Sequence, residues 1–155
     1  MKIEITQNLT DAQKDIITRL WNAEYPQQLG FDGVGGFDDF LNGLSRHRHF
    51  LLFDEHENIK AWLISFTRHE ERWFSIIVDS SEQKKGYGTR LLNEVKKHES
   101  EINGWIIEHD DYLNGKGEKY LSPIGFYRKN GFTILPEIKL EKDDFYAIKI
   151  KWTRD

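Results

Sequence analysis

Two short segments combine glycines with side chains that can do chemistry, and they stand about forty residues apart. The first consists of Gln83, Lys84, Lys85, Gly86, Tyr87, Gly88 and Thr89. At the start of a helix, successive backbone N–H groups form a site for an anion such as a phosphate, and glycines permit close approach. The second segment, residues 126–132, places the hydroxyl of Tyr127, a proton donor, on a short helix that Gly131 ends.

The glycine pair of the first segment is equally compatible with a purely structural turn. The dinucleotide fingerprint G-x-G-x-x-G requires a third glycine where this chain has Leu91. A Walker loop requires Gly-Lys-Ser/Thr, which the chain lacks. Lys84 and Lys85 add positive charge for the same anion, or are simply solvated. A phosphate site therefore needs support beyond spacing.

The elements that position these segments follow from hydrophobic periodicity, and the 155 residues predict a single domain over 1–155. Strands are predicted at 1–6, 49–53, 59–67, 73–79, 105–107, 132–135 and 145–152. Helices are predicted after a capping box at Thr10, over 37–44 after a flexible Asp32–Gly36 joint, from the 83–89 segment to Gly104, and from Ser122 to Gly131. This order predicts an α/β (α+β) fold. Its sheet is mixed and mostly antiparallel, with six to seven strands and about four flanking helices.

The two segments also match a pair of motifs in the order of a known family. Residues 83–88 fit Q/R-x-x-G-x-G/A after an apolar strand, and residues 126–132 fit aromatic-Tyr-x-x-x-Gly-Phe. In these residues the chain resembles the GCN5-related N-acetyltransferases, the GNAT superfamily. The resemblance covers about 1–152 in element order. The chain departs from the family at 80–82, where many relatives have a proline, and in a long polar insert at 112–121.

The resemblance implies that acetyl-CoA is the acyl donor and that it binds where the fourth and fifth strands, ending near Val78 and Glu108, splay apart. The 83–89 segment would hold its pyrophosphate, and backbone groups of Ile76 and Val78 would pair with the pantetheine arm. The N–H of Ile77 or Val78 would stabilise the oxyanion that forms at the thioester. The same apolar run is equally compatible with ordinary sheet core.

Proton transfers are expected from ionisable groups near this gap. The resemblance gives Tyr127 the role of protonating the departing CoA thiolate, although a buried tyrosine is also common as a packing residue. An amine with an ordinary pKa of about 10.4 needs a base. Glu108 and His109, after the fifth strand, are the first candidates and Glu24 is the third; each is equally a surface hydrogen-bonding group. Since the chain has no cysteine, we expect direct attack of the amine on the thioester.

Composition narrows the range of partners. The net charge of −4 argues against nucleic acid, and no apolar run reaches the length of a membrane span, so we expect a cytoplasmic protein. His47 and His49 can share a strand face but lack a third ligand at metal spacing, so no metal is predicted. The resemblance implies that Tyr25 and Phe31, near the loop between the first two helices, line a pocket for a small-molecule or peptide amine.

Two other functions remain open at this point. A non-catalytic module with the same fold could bind or sense acyl-CoA, and an unrelated nucleotide-binding domain could use the same glycine loop. Release of thiol from acetyl-CoA in the presence of amines separates an enzyme from a binding module. The sequence is compatible with a homodimer but does not predict one, and it does not identify the acceptor amine.

Overall fold

The computed structural model describes residues 1–155 and contains one seven-stranded sheet in the order β1-β2-β3-β4-β5-β7-β6. The strands are β1 (Lys2–Thr6), β2 (Ser45–Phe53), β3 (Ile59–Arg68), β4 (Glu71–Val78), β5 (Glu101–Ile106), β6 (Thr133–Lys142) and β7 (Phe145–Thr153). The helices are α1 (Asp11–Glu24), α2 (Gly33–Asn42), α3 (Tyr87–Lys96) and α4 (Ile124–Lys129), with 3-10 turns at Gln27–Leu29 and Ser80–Glu82. Every strand pair is antiparallel except β4 with β5. The predicted mixed, mostly antiparallel sheet with four helices is confirmed.

The parallel pair β4 and β5 is joined only at one end. Trp73 pairs with Asn103, and no further residue pair follows toward the carboxyl ends of the two strands. The predicted splay between the fourth and fifth strands is therefore present. Since an open strand edge leaves backbone groups unpaired, this gap is a place where a ligand can add hydrogen bonds to the sheet.

The prediction that α3 ends at Gly104 is wrong, because Gly104 lies inside β5. α3 ends at Lys96, and β5 begins at Glu101. A Cβ at Gly104 would come within 2.8 Å of the Phe74 ring. The glycine therefore allows the ring on the neighbouring strand to pack against the backbone of β5, a role that periodicity does not reveal.

The starts of α1 and α2 are stabilised in different ways, the first by side-chain capping and the second by packing. The capping box at Thr10 is present: the Thr10 hydroxyl accepts from the Gln13 N–H at 3.1 Å, and the Gln13 side chain accepts from the Thr10 N–H at 2.9 Å. The expected joint at Asp32–Gly36 is wrong, since α2 already begins at Gly33. Burial of Phe37 and Leu41 against the sheet offsets the low helix propensity of the glycines.

The C-terminal hairpin is longer than predicted, with β6 reaching Lys142 instead of residue 135. A bulge between Leu135 and Lys139 carries the strand past a polar stretch that lies mostly exposed at the sheet edge. β2 likewise starts at Ser45 rather than at residue 49. The sequence does not reveal this start, because the first residues of the strand are polar.

Helices cover the two faces of the sheet and form two separate cores. On one face, α3 and α4 pack Leu91, Leu92 and Tyr127 against the sheet. On the other face, α1 and α2 pack Ile17 and Phe37 against it. No helix has the length and apolar character needed to cross a bilayer.

Candidate active site

The gap between β4 and β5 opens into a cleft with a volume of about 890 Å³. Its walls include α1 and the loop that follows it on one face of the sheet, and the starts of α3 and α4 on the other. The cleft thus reaches both faces through the interruption in the sheet. Two ligands that meet in the gap could approach from opposite faces.

One edge of the cleft is the free backbone of β4. Asp79 donates its N–H to Lys60 of β3 at 2.9 Å, and hydrogen-bonded pairs alternate along an antiparallel ladder. Ile77 is therefore bonded to β3, whereas the N–H and C=O groups of Ile76 and Val78 face the gap. The resemblance implied that the backbone groups of these two residues face the gap, and the strand pairing agrees with it. This pairing leaves Val78 rather than Ile77 as the residue whose N–H is directed at the cleft.

Both carbonyls on this edge have partners within the protein. The Tyr25 hydroxyl donates to the Ile76 carbonyl at 2.7 Å, and the Gln83 side-chain amide donates to the Val78 carbonyl at 3.2 Å. The carbonyls are therefore occupied and the N–H groups of Ile76 and Val78 remain the donors that face the gap. Burial raises the pKa of Tyr25, so its hydroxyl keeps its proton.

The loop after β4 leads these amides directly into the start of α3. Asp79 accepts from the Ser81 N–H at 2.9 Å, and Lys84 and Gly86 have positive φ angles of 67° and 82°. No side chain caps α3, so the backbone N–H groups of residues 87–89 remain free to donate hydrogen bonds. We call these three N–H groups, with those of Ile76 and Val78, the amide edge.

The second glycine of the loop has a packing role. A Cβ at Gly88 would come within 2.9 Å of the Phe126 ring of α4. The two motifs found in the sequence therefore contact each other, and Gly88 lets α4 approach the first turn of α3. Of the predicted loop residues, Lys85 alone does not line the cleft; it pairs with Glu82 at 2.9 Å.

Tyr127 lies in the cleft with its ring buried and its hydroxyl without a hydrogen-bond partner in the protein. The ring packs against Phe126 and Phe132, with centroids 5.1 and 5.2 Å away. Burial, with smaller contributions from Tyr25 and Tyr120, raises the pKa of Tyr127 well above its usual value. The hydroxyl is therefore protonated at neutral pH and free to donate.

Two of the three predicted bases do not line the cleft. Glu108 accepts a hydrogen bond from the Tyr146 hydroxyl at 3.1 Å, and this bond raises the pKa of Tyr146. The Nδ1 atom of His109 accepts from the Asp111 N–H at 3.1 Å. Since β5 ends at Ile106, these residues belong to a turn beyond the gap and not to a strand end inside it.

Glu24, the third predicted base, lines the cleft. Its Oε2 atom accepts from the Ser80 N–H at 2.9 Å and lies 3.4 Å from the Lys116 ammonium, while Oε1 has no protein partner. These contacts hold the carboxylate at the junction of α1 and the loop after β4. One oxygen of the Glu24 carboxylate is thus left without a protein partner.

Sequence reasoning missed that the polar insert at 112–121 docks on α1. Gly115 donates its N–H to the Ala23 carbonyl at 3.1 Å, and any Cβ at Gly115 would overlap the Asn22 carbonyl. This contact carries Lys116 to Glu24 and brings Tyr120 to the cleft. The Asn-Gly dipeptide at 114–115 is the local signal of a turn, but its docking partner is not readable from the chain.

An aromatic wall, missed as a group by the sequence analysis, forms the α1 and α2 side of the cleft. It comprises Trp21, Phe31, Phe40, Phe66, Trp73 and Trp105. Asn22 fixes the loop after α1 by exchanging hydrogen bonds of 2.7 and 3.1 Å with the Phe31 backbone. The rings of Trp73 and Trp105 stack with centroids 5.0 Å apart. Phe31 and Tyr25, which the sequence singled out, both contribute to the cleft.

Comparison with solved structures identifies the same fold in three acetyltransferases at low sequence identity. A spermidine N-acetyltransferase SpeG chimera from Vibrio cholerae and hSSAT has a TM-score of 0.70 at 14% identity, covering 99% of this chain and 96% of that chain. The ribosomal-protein-S18-alanine N-acetyltransferase of Escherichia coli has a TM-score of 0.65 at 16% identity, covering 98% of this chain and 94% of that chain. Tetrahymena GCN5 has a TM-score of 0.64 at 15% identity, covering 100% of this chain and 97% of that chain.

Sequence comparison supplies the family. A search of curated proteins found no match to this sequence. The family model described as an acetyltransferase (GNAT) domain matches residues 45–134, which is more than half of the chain and includes both motifs. The chain therefore belongs to the GNAT acetyltransferase family.

Proposed function

We propose that this protein transfers the acetyl group of acetyl-CoA to an amine by direct attack of the amine on the thioester. The observation that carries the proposal is the amide edge: free N–H groups on β4 continue into the uncapped first turn of α3 along one wall of the cleft. Donors in this order fit a ligand with amide carbonyls at one end and a diphosphate at the other. Acetyl-CoA has that arrangement.

The predicted binding residues take distinct parts in this proposal. The N–H groups of Ile76 and Val78 receive the pantetheine carbonyls or the thioester oxygen. The first turn of α3 receives the diphosphate, with Lys84 adding charge. Gln83 acts indirectly, because it occupies the Val78 carbonyl. Lys85 is a peripheral charge, and the Ile77 N–H is committed to β3.

The Val78 N–H is the proposed donor to the oxygen on which charge develops as the amine attacks. Tyr127 is the proposed acid: its protonated hydroxyl has no competing protein partner and gives its proton to the thiolate as the C–S bond breaks. The raised pKa keeps the Tyr127 hydroxyl protonated at neutral pH, so it can donate to the sulfur as negative charge builds up there.

The attacking nitrogen must lose a proton, and we assign this step to Glu24, directly or through one water. Its Oε1 atom is free and the residue lines the cleft, which neither Glu108 nor His109 does. Because Lys116 and the Ser80 N–H hold the other oxygen, the carboxylate keeps its orientation. Glu108 and His109 remain alternatives only if the turn after β5 moves when ligand binds.

Two measurements on the full chain test the proposal. Calorimetry with CoA should register binding, and thiol release from acetyl-CoA should depend on both protein and amine. Binding without thiol release over a broad amine panel would support an acyl-CoA-binding module. A rise in melting temperature with ATP but not with CoA would overturn the proposal in favour of an unrelated nucleotide-binding domain.

A further inference from the structure

The charges that line the cleft are unevenly paired. Its two carboxylates already have lysine partners: Glu24 lies 3.4 Å from the Lys116 ammonium, and Glu82 lies 2.9 Å from that of Lys85. Arg68, at the far end of the aromatic wall, has neither a carboxylate nor a hydrogen-bond acceptor as partner. A ligand carrying positive charge away from its reacting amine would thus find no carboxylate that lacks a lysine partner. A ligand carrying negative charge would find a free cation.

The register of the β3–β4 hairpin makes the isolation of Arg68 informative. Glu71 is directly opposite Arg68 across the two strands, the position at which an ion pair is most readily formed. The Glu71 carboxylate instead bonds Lys149 at 3.2 Å and lies 3.9 Å from Lys151. The guanidinium of Arg68 rests over the Phe66 ring, 5.0 Å from its centroid. Partial burial without a counterion lowers the pKa of Arg68, although the group stays charged.

A second unmet group lies on the neighbouring strand. Phe66 is directly opposite Trp73, and the buried indole N–H of Trp73 has no hydrogen-bond acceptor in the protein. Leaving such a donor unsatisfied costs free energy. The two unmet donors therefore belong to the same corner of the aromatic wall.

The position of this corner limits the shape of the ligand. Trp73 precedes Ile76 by three residues on β4, which at a rise of about 3.3 Å per residue separates their backbones by about 10 Å. Ile76 begins the amide edge, where the reaction is proposed to occur. Aromatic side chains fill the distance between the two points.

Resting on the proposed acetyltransferase function, we infer that the acceptor is an amine with an apolar or aromatic body and an anionic group, such as a carboxylate, at its far end. Arg68 binds the anionic group, and the aromatic wall encloses the body. The amine then lies at the amide edge beside Glu24. Polyamines are excluded as good acceptors, because their second ammonium group would face Arg68.

Three amines test this class with closely matched reacting groups: 4-(2-aminoethyl)benzoic acid, 2-phenylethylamine and spermidine. At saturating acetyl-CoA, the wild-type protein should acetylate the benzoic acid with a kcat/KM about 10- to 100-fold above that for 2-phenylethylamine, as expected for one charge-assisted contact. Spermidine should be the poorest of the three. A kcat/KM for spermidine equal to or above that of the carboxylated amine would overturn the inference.

Variants locate the effect at Arg68. Arg68→Met keeps the length and apolar stem of the side chain, and it should bring the ratio of the first two kcat/KM values close to one. Arg68→Lys should restore part of the ratio. Arg19→Met removes an exposed arginine of α1 that pairs only with Asp15, and its ratio should match the wild type. An unchanged ratio in Arg68→Met would sink the assignment.

A binding measurement separates this inference from the proposed reaction. Calorimetry of 4-(2-aminoethyl)benzoic acid with the CoA-bound protein needs no turnover and should show affinity that Arg68→Met lowers about 10- to 100-fold. Such binding without any thiol release would support the acceptor site while contradicting the proposed transfer. Thiol release with all amines alike, and no effect of Arg68→Met on binding, would support the transfer while contradicting the acceptor class.

Discussion

The two sides of the cleft are built from different parts of the chain. The amide edge is backbone, and the side chains of Ile76 and Val78 only anchor it in the core beneath α3 and α4. The aromatic wall is made of side chains from α1, α2 and the strands. The family model matches residues 45–134 and so leaves out α1, α2 and the loop between them, which carry Trp21, Phe31 and Phe40, half of the wall. Backbone geometry can be kept with many sequences, whereas a wall of side chains changes with each substitution. We therefore expect the amide edge to serve the shared acyl donor and the aromatic wall to select the acceptor.

The largest expected effect comes from Tyr127→Phe, which tests whether the amide-edge side also supplies the acid. Loss of a positioned proton donor should lower kcat by about 100-fold or more. Affinity for acetyl-CoA should stay the same, because the ring and its packing remain. Steady-state thiol release and CoA calorimetry measure the two quantities.

The control for this prediction is Tyr146→Phe, which removes a tyrosine hydroxyl bonded to Glu108 outside the cleft. It should leave kcat unchanged. A loss in Tyr146→Phe comparable to that in Tyr127→Phe would move the chemistry toward Glu108 and away from the gap.

Glu24→Gln tests whether the general base is on the α1 side of the cleft. Glutamine can still accept the Ser80 N–H, so the fold should be kept while kcat/KM falls by about 10- to 100-fold. Lys116→Met removes the ion pair with Glu24 and the 2.7 Å hydrogen bond to the Ser80 hydroxyl, and it should change kcat/KM little. An unchanged kcat/KM in Glu24→Gln would return the assignment of the base to the turn after β5.

Gly88→Ala tests whether the amide edge depends on the contact between the two motifs. The added methyl meets the Phe126 ring at 2.9 Å, and such overpacking costs about 1–3 kcal/mol. If that strain displaces α4 or the start of α3, the Kd for CoA should rise by about 10-fold or more.

Matched variants check the cause of that loss. Gly35→Ala lies in α2, where nothing stands within 4 Å of an added Cβ, and should leave CoA binding unchanged. Phe126→Leu combined with Gly88→Ala should recover part of the affinity, because it removes the clash. Failure to recover any affinity would assign Gly88 a backbone role rather than a packing role.

The smallest effect at neutral pH concerns the core beneath the aromatic wall. Trp62 donates its indole N–H to the buried His49 at 2.9 Å, and burial lowers the pKa of His49 to about 3. The unfolded chain binds a proton near the ordinary pKa of about 6.5, so the folded state should lose stability as pH falls from about 6.5 toward 3. The loss should reach about 2.5 kcal/mol near pH 4.5.

Denaturant unfolding at pH 7 and near pH 4.5 measures this loss in the wild type and in His49→Gln. Glutamine can still accept from Trp62 but does not titrate, so the variant should lose less stability between the two pH values. Equal losses in the two proteins would assign the acid sensitivity to carboxylates elsewhere.

Local signals were sufficient for much of the fold. The capping box at Thr10, the apolar strand predicted at 73–79 and the glycine that ends α4 each depend on signals within a few residues, and each is present. Signals that depend on distant partners failed. Gly104 was assigned to a helix end because its contact, the Phe74 ring, is on another strand. The edge strand β6 was cut short because it lacks an apolar pattern.

The sequence by itself determined the family motifs, the order of elements and the candidate donors, because these depend on residue types and short spacings. Only the tertiary structure decided which of them meet. Strand parity turned Val78 rather than Ile77 toward the gap, and docking of the insert on α1 joined Lys116 to Glu24. The pairing of Glu71 with Lys149 left Arg68 free. Such outcomes depend on competition between partners far apart in the chain, and no local pattern records which partner wins.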